Sequence, residues 1–154
     1  MIGVIAVALL QAGSVQGAQP IDVTLNCPNP IGSSAYMPGG LVTKEMALKP
    51  SEDGFTGQVL IMLKIGENVK IDNVIWVRNE QTVSAKSDGL ISETYLFESG
   101  TIRADIFWGN GGTDSILLSN SSSSQPSLAY TSIITGSRLE RIGYYVAQCS
   151  RTSP

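Results

Sequence analysis

The chain has 154 residues, enough for one domain with a sizeable core and too few for two. The 13 acidic and 10 basic residues give a net charge of −3, and no basic run marks a nucleic-acid or anionic-membrane footprint, so neither is expected as a partner. With no histidine, the sequence excludes imidazole-ligated zinc, histidine-activated nucleophiles and imidazole acid–base steps. Charged residues make up 15% against a usual fraction of about 25%, and 42% are hydrophobic, a globular rather than a disordered composition.

From Met1 to Ile21 no side chain is charged, and Ile2 to Leu10 is an apolar run followed by the polar Gln11, Gly13, Ser14 and Gln16. The run is shorter than the roughly 20 residues that span a bilayer and has the form of a secretory signal, with cleavage after Gly17 or Ala18. Residues 1–18 are therefore expected to be a signal peptide and 19–154 an exported β-domain, secreted or periplasmic, with no membrane span in the mature chain. Two cysteines in an exported chain predict one disulfide, Cys27 to Cys149. It would close a loop of about 120 residues and clamp the first strand to the last.

Ile21, Val23, Leu25 and Cys27 alternate with Asp22, Thr24 and Asn26, which predicts a strand with one buried face. Between Pro28 and Pro50 the prolines, Gly39, Gly40, Ser33 and Ser34 predict an irregular loop, with room for a short strand only over Leu41 to Leu48. Phe55 to Ile65 carries the strongest strand signal. Val59, Ile61, Leu63 and Ile65 share one face, and Leu60 and Met62 make the other apolar, so a central strand buried on both faces is expected. Gly66-Glu67-Asn68 turns it into Ile71 to Val77 as a hairpin.

Thr82 to Ala85, Leu90 to Phe97, Thr101 to Trp108 and Ser115 to Leu118 continue the series. The serine tract Ser119 to Pro126 is a loop, and Leu128 to Ile134 and Gly143 to Cys149 are closing strands. Turns recurring every 8 to 12 residues or so predict an all-β fold: a single antiparallel meander closing into a small barrel or sandwich, with Val59, Ile61, Leu63, Ile75 and Ile106 inside.

Gly109-Asn110-Gly111-Gly112-Thr113-Asp114-Ser115-Ile116-Leu117 resembles one nonapeptide of the calcium-binding RTX repeat, Gly-Gly-x-Gly-x-Asp-x-apolar-x. That resemblance implies Asp114 as a calcium ligand. It occurs once, whereas an RTX site needs stacked copies, so a glycine-rich hairpin turn is expected and Asp114 stands as a weak calcium candidate with no metal site predicted. Asp105, Glu93 and Glu98 are acids near strands and turns, but no two of the 13 acids can be named as a catalytic pair. Trp76, Trp108 and the strand tyrosines Tyr95, Tyr130, Tyr144 and Tyr145 suit core filling, with a ligand cavity as the rarer arrangement. Asn120-Ser121-Ser122 is a glycosylation sequon, and Arg138, Glu140 and Arg141 read as a solvated turn. The expected function is an exported non-enzymatic β-domain with a binding or envelope-associated role, its partner a protein or small molecule and no cofactor required. The alternative is a small secreted hydrolase using a carboxylate pair.

Overall fold

Alternation of apolar and polar side chains decides which residues pair as strands and which face they bury. The computed structural model describes residues 19–152 apart from Gly40, Phe55, Ser122, Ser137 and Arg138, so the expected signal peptide at 1–18 lies outside the described residues. In chain order the elements are β1 (Ile21–Pro28), β2 (Ile31–Tyr36), β3 (Ser51–Gly54), β4 (Gly57–Ile65), β5 (Val69–Arg78), β6 (Gln81–Ser84) and a single helical turn α1 (Ala85–Asp88). There follow β7 (Gly89–Ile91), β8 (Tyr95–Leu96), β9 (Ile102–Trp108), β10 (Thr113–Ser119), β11 (Ser127–Ile134), β12 (Arg141–Gln148) and β13 (Ser150–Thr152).

The fold is all-β and antiparallel, but it is not a closed barrel. One sheet runs β13-β1-β4-β5-β6; the other runs β3-β2-β12-β11-β10-β9-β7, with β8 also paired to β9. Both keep open edges. The two share one core, to which the first contributes Leu25, Val59, Ile61, Leu63, Ile71 and Val74 and the second Ile102, Ala104, Ile106, Ile116, Leu118 and Leu128. Full burial of one such aliphatic side chain contributes about 1.5–3 kcal/mol. Cys27 and Cys149 form a disulfide, both buried in that core. As expected, it holds the terminal strands together, since β1 pairs with β13 through Leu25 and Arg151.

Three local expectations need correction. Pro28 to Pro50 is not all loop: Ile31–Tyr36 pairs with β12 over six positions, while Leu41 to Leu48 holds turns and isolated bridges instead of a strand. Gly32, opposite Tyr145, leaves no room for a side chain because a Cβ there would run into the Tyr144 backbone carbonyl, and Ser34 is buried opposite Gly143 and Ser51. Met62, on the outer face of β4, is 39% exposed, so that strand is central in its sheet but not buried on both faces. Ile75 does not lie in the core. A bulge between β4 and β5 pairs Met62 with Asn73 and Leu63 with Ile71, which skips Asp72 and shifts the inward set from Ile71 onto Val74, Trp76 and Arg78.

Candidate functional site

The inner faces change character along their length, and that change builds the site. In the larger sheet one cross-strand row is Ile102, Leu118, Leu128 and Ala147, all aliphatic. The next runs Ala104, Ile116, Tyr130, Tyr145, Gly32 and Asp53; the one after it runs Ile106, Asp114, Ser132, Gly143, Ser34 and Ser51. Beyond these, Arg141 lies opposite Tyr36 and Ile134. The smaller sheet shows the same gradient: Leu25, Ile61 and Val74 give way to Cys27, Val59, Trp76 and Val83, then to Gly57, Arg78 and Gln81. Packed aliphatic rows therefore open, at one end, into a cavity of about 370 Å³ with aromatic walls and polar groups, within the range that takes small ligands.

Aromatic packing shapes the walls. Tyr130 and Tyr145 stack with ring centroids 4.8 Å apart, Trp76 meets Trp108 edge-on at 5.4 Å, and Trp76 meets Tyr130 edge-on at 6.4 Å. The two tyrosines are buried, whereas the two tryptophans stay part-exposed toward the opening. A two-residue hairpin with Asn79 and Glu80 both at positive φ sets Arg78 opposite Gln81 at the rim.

Two aspartates line the cavity in contrasting environments. Asp53 Oδ2 accepts hydrogen bonds from the Tyr145 hydroxyl at 2.6 Å and from Arg141 Nη1 at 3.1 Å, while its Oδ1 accepts from the Gly54 N–H at 2.8 Å. Partial burial alone would raise this carboxyl. Hydrogen bonds from Tyr145, Ser34 and Gly54, together with the Arg141 charge, outweigh it and hold the pKa below the ordinary aspartate value. Burial, followed by the Asp53 carboxylate, pushes Tyr145 up to about 12, and burial raises Tyr130 as well. Asp114, only 7% exposed, accepts from Trp108 Nε1 at 2.9 Å and from the Ser132 hydroxyl. Its desolvation exceeds the help from Ser132, Trp108 and the more distant Arg141, so its pKa is raised.

The residues singled out in the sequence divide accordingly. The RTX-like segment folds as the antiparallel β9–β10 hairpin, with Asp114 facing the inter-sheet space. Among the described residues, no group of three or more potential metal-ligating side chains gathers anywhere. Asp105 lies on the outer face, bonded to Arg103 and Ser115, and Glu93 and Glu98 are exposed. Tyr95 and Tyr144 also point outward, whereas Trp76, Trp108, Tyr130 and Tyr145 meet at the cavity.

Arg141, expected in a solvated turn, instead reaches Asp53, a residue the sequence reading did not single out. The alternation Arg141-Gly143-Tyr145 was a usable signal for the first; nothing local pointed to the second, 88 residues away in sequence. No helix among the described residues is long and apolar enough to cross a membrane. Comparison of the chain with protein-family models, curated proteins and solved structures finds no match.

Proposed function

We propose that this is an exported β-domain whose function is to hold a small molecule in the mouth between its two sheets. The observation that carries the reading is the one-ended gradient of the inner faces. Both sheets exchange aliphatic for aromatic and polar residues at the same end, where a cavity of about 370 Å³ remains. A core built only for stability would continue the aliphatic rows, because burying polar groups costs free energy unless each is satisfied.

The second reading, hydrolysis by a carboxylate pair, draws support from Asp53 and Asp114, whose environments push their pKa values in opposite directions. Binding is favoured because Asp53 is already saturated. A carboxylate offers about four acceptor sites, and Gly54, Tyr145, Arg141 and Ser34 occupy them. Asp53 thus buttresses Arg141 and Tyr145 and has little capacity left for a substrate or water.

The chain has two tryptophans, both in the cavity wall, so a nitrogen–proton correlation spectrum reports the site through two indole signals. Titrating a small-fragment library into the protein should move both signals together, and Trp76→Ala should abolish the response of Trp108. Shifts confined to the outer faces of the sheets would refute the binding reading. A panel of chromogenic glycosides and esters supplies the other arm: turnover lost in Asp114→Asn would establish the hydrolase. Export is tested separately, by the mass of the protein recovered from its native host, which should begin near Ala18 or Gln19.

A further inference from the structure

Taking the binding reading as its premise, we propose that the ligand presents an alkylated ammonium group, seated against Trp76 and Trp108 with the Asp114 carboxylate as its counter-ion. Two aspartates, Asp53 and Asp114, and two arginines, Arg78 and Arg141, line the cavity, but they are not evenly paired. Asp53 and Arg141 form an ion pair at 3.1 Å and neutralise one another. Asp114 belongs to none of the ion pairs formed among the described residues, which join Lys64 and Lys86 to Asp72, Arg103 to Asp105 and Arg141 to Asp53. Its hydrogen bonds come from Trp108 and Ser132, both neutral donors, and it is more than nine-tenths buried.

Desolvating a carboxylate without a cation is costly, and a cation arriving with a ligand recovers that cost. The surroundings select which cation. Trp108 binds Asp114 through its ring N–H, and the Trp76 ring lies edge-on to it with a centroid separation of 5.4 Å. Aromatic rings attract a diffuse cation with little hydration better than a strongly hydrated point charge, and tryptophan is the most effective of them. A compact metal ion prefers several charged oxygen ligands, and among the described residues no group of three or more His, Cys, Asp or Glu side chains gathers around Asp114. The other charged groups facing the space are the Asp53–Arg141 pair and Arg78, which sits at the exposed rim. Asp53 offsets the charge of Arg141 and Arg78 disfavours a cation at the rim, which leaves the Asp114 end as the place where positive charge is stabilised.

The test uses choline and its uncharged carbon isostere, dimethylbutanol, each titrated against the full-length exported protein while the two indole signals are followed. Choline should bind about tenfold more tightly than the isostere, and Asp114→Asn should weaken choline about tenfold while leaving the isostere unchanged. The comparison of the two probes on the wild-type protein decides the matter even if the variant folds poorly. Equal affinity for the two probes overturns the ammonium assignment and leaves the binding reading standing. No response to either probe also overturns it, and if the fragment library moves neither indole signal the binding reading falls with it.

Discussion

The phenol of Tyr145 lies over Gly143, two residues earlier on the same strand: a methyl group at position 143 would fall 2.6 Å from the Tyr145 ring and 2.7 Å from its hydroxyl oxygen. Glycine there makes room for the ring to reach Asp53 and to stack on Tyr130. Gly143→Ala should therefore displace the phenol, break its hydrogen bond to Asp53 and destabilise the fold by about 1–3 kcal/mol. Urea unfolding measures the loss. Wild-type stability together with an unchanged Tyr145 ring environment would show that the close approach has no structural weight.

The Asp53 cluster makes a signed pH prediction. Its pKa is lower in the folded chain than the ordinary 3.8, so its contribution is complete above that value and is lost as pH falls through the folded pKa. Asp114 has the opposite sign: its raised pKa means that stability falls as pH rises from the ordinary aspartate range through the raised value. Tyr145→Phe, which removes one hydrogen bond to the charged carboxylate, should cost about 1 kcal/mol at pH 7 and less in acid, where Asp53 is protonated. Asp114→Asn should gain on the wild type as pH rises through the Asp114 transition. Denaturant titrations of both variants across pH provide the check, and pH-independent differences would contradict these assignments.

Much of the framework could be read from local pattern. Alternation in Ile21–Pro28, Gly57–Ile65 and Ile102–Trp108 gave the correct buried faces because a half-buried strand must repeat every two residues. The bulge at Asp72 defeated the same logic for Ile75, since one extra residue inverts every later side chain and leaves no mark in composition. Closure was not encoded locally either: alternation says which face is buried, not whether a sheet meets its own edge. In the site, Trp76, Trp108, Tyr130 and Tyr145 stood out as aromatics, but Asp53 acquires its role only when β3 is brought beside β2 and within reach of β12, a relationship between distant segments.

The bulge is itself testable. Val74 is fully buried and Ile75 is not, so Val74→Asp should prevent folding by placing an unpaired carboxylate in the core. Ile75→Thr should cost no more than about 1 kcal/mol on the outer face. Circular dichroism of the two purified variants distinguishes them, and the reverse order of severity would mean that β5 is in the unshifted register.

Reduction of Cys27–Cys149 should lower stability by about 2–5 kcal/mol without changing the strand pairing, because the bond mainly restricts the unfolded chain over a long loop. Thermal unfolding with and without reductant, alongside Cys149→Ala, measures it. Two freely alkylatable thiols in protein recovered from its native host would contradict the bond.

The most direct test of the inter-sheet mouth as a ligand site is a crystal structure of the protein soaked with small fragments, choline among them. The expected result is density for a bound fragment in the cavity against Trp76 and Trp108, within reach of Asp114 and with the wall side chains unmoved. Side chains from the core closing the space, or fragments found only on the outer faces of the sheets, would contradict it.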